Sequence, residues 1–157
     1  MLSKESLDQV KREVAKYPPE HKASAVMATL RIAQEEHGWL SVPLMDYVAE
    51  LLGMRPIQVY EVATFYSMYD LMPVGRHKIS ICTNISCMLC GSDAIVKHLE
   101  QRLGIKLGET TPDGQFTLKE VECLGACAGA PMMQIDRDYH EHLTPEKLDA
   151  ILKGIGR

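Results

Sequence analysis

Four of the five cysteines fall in two short stretches, "CTNISC" at 82–87 and "CLGAC" at 123–127. The fifth, Cys90, follows closely on the first stretch. Each stretch comes at the end of a run that reads as a strand, "HKISICT" at 77–83 and "FTLKEVE" at 116–122. If those strands are neighbours, both loops open at one edge of a sheet and four thiols converge there. That requirement narrows the folds open to the chain more than any other feature. Cross-linking is not what the cysteines are for. A chain of 157 residues, 46% hydrophobic and 24% charged, buries enough core to stand without disulfides. No apolar run reaches the roughly 20 residues that span a bilayer. The acids Glu5, Asp8 and Glu13 do not suit a signal or transit peptide. A reducing cytoplasm is expected, where stable disulfides are rare. The formal net charge of −4 argues against a phosphate backbone as partner.

Periodicity divides the chain in two. Residues 1–74 read as a helical bundle. Leu7, Val10 and Val14 mark one helix, closed by Pro18 and Pro19. Ala23, Val26, Met27, Leu30 and Ala33 mark a second that stops at Gly38. Leu44, Val48, Leu51 and Leu52 mark a third, from Pro43 to Gly53, and Val59, Val62, Ala63 and Tyr66 a fourth after Pro56. Pro73 and Gly75 break the pattern. Residues 75–157 read as strand, helix, strand, strand, strand, helix. The helix is "SDAIVKHLEQRLG", "TPDGQ" is a turn, and "PMMQI" and "YHEHL" are strands around a "DRD" hairpin. Thr144 is the expected N-cap of the last helix, with Pro145 at its first position and Glu146 in its first turn. The fold class expected is α+β.

The spacings allow three cysteine groupings. Cys87-Met-Leu-Cys90 is a C-x-x-C redox motif between a strand and a helix. It leaves Cys82, Cys123 and Cys127 unexplained. Cys82-x4-Cys87-x2-Cys90 followed by Cys123 repeats the plant-type ferredoxin spacing. It leaves Cys127 idle and puts a helix where that spacing serves an open loop. In the third grouping Cys82, Cys87, Cys123 and Cys127 bind together and Cys90 is a small buried hydrophobe. Zinc accepts similar spacings, so the loops alone leave a structural zinc module open. Gly125 and Gly129 let backbone amides approach bound sulfur, which tunes an iron–sulfur potential.

Taken together, "CTNISCMLCGS", "VECLGACAGAPMMQI", "EVATFYSMY" and "YHEHLTPEKLDAIL" resemble the small [2Fe–2S] subunit of respiratory NADH:quinone oxidoreductase, complex I. The resemblance spans almost the whole chain. It implies a helical bundle over 1–74 and a thioredoxin-like ferredoxin domain over 75–157, with a small mixed sheet and flanking helices. It implies one [2Fe–2S] cluster on Cys82, Cys87, Cys123 and Cys127, which selects the third grouping. It also implies an electron-transfer subunit of an oxidoreductase, beside a partner subunit that binds FMN and NADH, among other peripheral-arm subunits. Such a subunit sits on the cytoplasmic side of the inner membrane, without inserting into it. Similar modules occur in NAD-linked formate dehydrogenases and bidirectional hydrogenases. Two positions depart from the family. Cys90 stands where a non-cysteine is frequent, and Gly129-Ala130-Pro131 replaces Asn-Ala-Pro.

Several features carry less. His140 and His142 lie two apart on an expected strand and should share a face, with packing or surface roles. Met132 and Met133 are expected to fill core. Pro131 precedes an expected strand, where thioredoxin-like folds hold a cis proline, so Ala130–Pro131 is expected to be cis. There is no G-x-G-x-x-G after a strand, no P-loop, and no nucleophile with an evident base, so no catalytic residue is expected.

Overall fold

The computed structural model describes residues 1–156. They form two compact units, Met1–Pro73 and Val74–Arg157. In the first unit, α1 (Lys4–Val14), α2 (Val26–His37), α3 (Val42–Leu52) and α4 (Pro56–Phe65) pack in sequence. Ser3 caps α1 by accepting from the Ser6 N–H, and the left-handed Gly53 closes α3. Leu30, Leu40, Val48 and Val59 are fully buried at the centre of this bundle. Each contributes about 1.5–3 kcal/mol of transfer energy. The second helix is shorter than the sequence suggests. Pro19–Ala25 forms a 3-10 segment with a kink at His21, and α2 starts only at Val26. Proline at the start of that stretch favours a tight first turn and withholds a backbone donor.

The second unit is a four-stranded sheet in the order β2-β1-β3-β4, with helices packed on it. Its elements are β1 (His77–Cys82), α5 (Ile85–Leu89), α6 (Ser92–Leu103), β2 (Phe116–Val121), β3 (Met133–Ile135), β4 (Asp138–His140) and α7 (Pro145–Gly154). β1 and β2 run parallel, in a register from His77↔Phe116 to Cys82↔Val121. β3 lies antiparallel on the other side of β1, and β4 is antiparallel to β3. The sheet is therefore mixed, as expected. Side chains alternate along a strand. Ile79, Ile81, Phe116, Leu118, Met133 and Ile135 share a core with Leu99 of α6 and Leu148 of α7. Ser80 and Cys82 point the other way. Thr144 caps α7 by accepting from the Lys147 N–H, with Pro145 in the first turn.

The parallel pairing decides where the loops emerge. β1 and β2 end level with each other at Cys82 and Val121, so both following segments leave the sheet at one edge. Some local expectations need correction. Cys87 lies on the five-residue helix α5, not in a loop. β2 ends at Val121, two residues before Cys123. Asp138 belongs to β4, so the hairpin turn is tighter than "DRD". His142 lies beyond β4 with a left-handed φ of 48°. It therefore does not share a strand face with His140. Among the described residues no helix is long and apolar enough to cross a membrane.

Candidate metal centre

Cys82 is the last residue of β1. Asn84 then caps α5, accepting from the Ile85 N–H at 2.6 Å. One turn into α5 the chain delivers Cys87 back toward Cys82. The Cys82 thiol donates to the Glu122 carbonyl at 3.7 Å, and both thiols are buried, Cys87 at 1% exposure. With Met132 they form a small apolar cluster, flanked by Leu124, Ala126 and Ala130. The Cys82 N–H donates to the Met132 carbonyl at 3.2 Å.

The second pair is built by a turn. Gly125 takes a φ of +78°, which a side chain would resist. The loop reverses there, and the Gly125 N–H donates to Cys123 Sγ at 3.3 Å. Cys123 Sγ and Cys127 Sγ stand 3.9 Å apart. Cys127 opens a 3-10 turn that ends at Gly129, and the Ala130–Pro131 peptide bond is cis, as expected. Tyr139 of β4 donates its hydroxyl to the Leu124 carbonyl at 2.7 Å, fastening the loop to the hairpin.

Electrostatics link the pairs. Burial pushes the Cys87 thiol up to about 11, and the hydrogen bond to Cys82 adds to the effect. A hydrogen bond from the Met132 backbone acts in the opposite direction, and the charges of Cys82 and Cys127 raise the value further. Cys87 therefore lies within electrostatic reach of the second pair. Thiolates there need a counter-charge. Bound metal supplies one, and metal binding to thiols releases protons accordingly.

Among the described residues no three His, Cys, Asp or Glu side chains stand close enough to hold a single ion. A two-iron cluster takes two thiolates on each iron, so its ligands come as two pairs. Soft thiolate donors in two pairs, within apolar walls and with an N–H on sulfur, suit a [2Fe–2S] group. Cys90 is exposed and ends α5. It is not the buried residue that the sequence suggests. Met132 and Met133 are buried as expected.

The model of the thioredoxin-like [2Fe–2S] ferredoxin family matches residues 10–156. The chain belongs to that family. Its relatives include an E-type NADH-quinone oxidoreductase subunit of Rhizobium meliloti, 51% identical over 146 residues, 93% of this chain and 86% of the relative. The corresponding NADH-quinone oxidoreductase subunit of Rickettsia bellii is 50% identical over 152 residues, 96% and 91% of the two chains. A solved NAD+-reducing [NiFe]-hydrogenase shares the fold with a TM-score of 0.73, at 21% identity over 83% of this chain and 22% of the hydrogenase chain. Membership in the ferredoxin family gives the second unit its thioredoxin-like description.

Sequence reasoning alone missed two contacts in this ferredoxin: the Tyr139 staple and the packing of Glu141 against Gly129. Glycine in place of the frequent asparagine was the one signal for the second. Nothing in the sequence signals the first.

Proposed function

We propose that this chain is the electron-transfer subunit of an NADH:quinone oxidoreductase. On this reading it carries one [2Fe–2S] cluster on Cys82, Cys87, Cys123 and Cys127, beside a partner subunit that binds FMN and NADH. The single observation that carries the reading is the arrangement of four thiols as two pairs at one sheet edge. Such a cluster, when bound, supplies a site for one electron at a time. Cys82 and Cys87 hold the buried side and Cys123 and Cys127 the exposed side. The apolar walls of Met132, Leu124 and Ala130 exclude water, and the Gly125 N–H stabilises sulfur charge. Residues 75–157 carry this site. Residues 1–74 form the helical bundle. The subunit sits peripherally on the cytoplasmic side of the inner membrane, within the peripheral arm. Relatives near 50% identity named as NADH-quinone oxidoreductase subunits favour this complex over a hydrogenase matched at 21%.

Anaerobic purification, metal and sulfide analysis, and EPR after dithionite reduction test the reading. Two irons, two sulfides and one reduced-cluster signal are expected. Cys90→Ser should keep that signal, while Cys82→Ser or Cys127→Ser should weaken or abolish it. A colourless protein holding one zinc and no sulfide would overturn the reading. Activity lost in Cys90→Ser with the cluster intact would instead favour a thiol oxidoreductase.

A further inference from the structure

Gly129 is buried at the end of the turn that begins with Cys127. Its backbone needs no left-handed φ, so space is what demands glycine. A Cβ there would stand 2.4 Å from Glu141 Oε2, 2.5 Å from Glu141 Cδ and 2.6 Å from Glu141 Cβ. The half-buried Glu141 side chain occupies the volume that a side chain at 129 would fill. Two backbone bonds hold the segments together. The His142 N–H donates to the Gly129 carbonyl at 2.7 Å, and the Leu143 N–H to the Pro131 carbonyl at 2.9 Å. One cation is close by: Lys147 Nζ donates to the Glu141 backbone carbonyl, not to its carboxylate.

Gly129 follows Cys127 by two residues, a span of at most about 7 Å. A carboxylate packed on Gly129 therefore lies within roughly 11 Å of the Cys127 backbone. Charges at that range interact at low ionic strength, where the Debye length exceeds the separation. Reduction adds one electron, and so one negative charge, to the site. A carboxylate nearby opposes that addition.

We propose that Glu141, seated on the space left by Gly129, is a positioning residue that lowers the reduction potential of the centre held by Cys123 and Cys127. The Lys147 ammonium, bonded to the backbone carbonyl of the same residue, acts in the opposite sense. The inference rests on the ligand set proposed above.

The test is an EPR-monitored redox titration of the purified chain, with dithionite as electron donor and ferricyanide as acceptor. Wild type is compared with Glu141→Gln, which keeps the shape and removes the charge, and with Lys147→Met on an exposed helix turn. The midpoint should rise in Glu141→Gln and fall in Lys147→Met, with iron and sulfide content unchanged. A merely structural contact would not produce shifts of opposite sign. If Glu141→Gln fails to retain the cluster, the sign of the Lys147→Met shift decides. Unchanged midpoints, or shifts of the same sign, overturn the inference while leaving the ligand set intact. A wild-type chain that binds no cluster overturns both.

Discussion

Two cysteines three residues apart, one on α5 and one at its end, should differ sharply in reactivity once iron is removed. The thiolate is the nucleophile in alkylation. Burial and the neighbouring thiols push Cys87 up to about 11 from an ordinary 9.0. At pH 8 an ordinary thiol of that kind is roughly one-tenth ionised, and one at 11 roughly one-thousandth. Ionisation alone therefore slows Cys87 by about 100-fold. Its near-complete burial slows it further, whereas Cys90 is exposed. Iodoacetamide labelling of the iron-free chain, followed by peptide mass spectrometry over time, measures both sites in one sample. Circular dichroism verifies that the chain stays folded. Cys90 should label within the early time points and Cys87 should remain unlabelled. The sign follows from the raised value: Cys87 stays protonated until pH approaches about 11, so its labelling rate should climb roughly tenfold per pH unit from 8 to 10. Equal labelling of both residues at pH 8 in the folded chain would refute the buried pairing of Cys87 with Cys82.

Two further expectations concern the supports of the site. Tyr139→Phe removes the hydroxyl that holds Leu124, a loss of about 0.5–1.5 kcal/mol. Faster cluster loss to a chelator, with an unchanged unfolding midpoint of the first unit, is expected, and unchanged loss kinetics would count against the staple. Among the described residues, Ser92 Oγ, buried at the start of α6, has no hydrogen-bond partner. Ser92→Ala should therefore raise stability, by about 1 kcal/mol, in denaturant unfolding of the iron-free chain. A lower midpoint would show that the hydroxyl has a partner after all.

The parts of the fold legible in the sequence are those with local causes. Pro56 opening α4, Gly53 closing α3 and Thr144-Pro145 opening α7 act through backbone geometry within a few residues, and each element stands where those residues put it. The long apolar stripes of α2 and α6 were equally plain. What escaped leaves no plain periodic signal. α5 spans five residues, too few for any helical period to appear. The 3-10 segment at Pro19–Ala25 carries the same apolar residues that a regular helix would. β3 and β4, at three residues each, are defined by their partners more than by their composition. The site was legible as two loops. That both loops share one edge depends on the parallel pairing of β1 with β2, a property of tertiary contacts. The Tyr139 and Glu141 contacts depend on how the β4 hairpin folds back, which no spacing encodes.

The pairwise grouping of thiols is tested most directly by Mössbauer spectroscopy of the chain loaded with isotopically enriched iron, with serine at each ligand in turn. Cys82→Ser and Cys87→Ser, where the cluster survives, should perturb the signal of one iron, and Cys123→Ser and Cys127→Ser that of the other. Perturbation of the same iron by Cys82→Ser and Cys123→Ser, or of either iron by Cys90→Ser, would contradict that grouping.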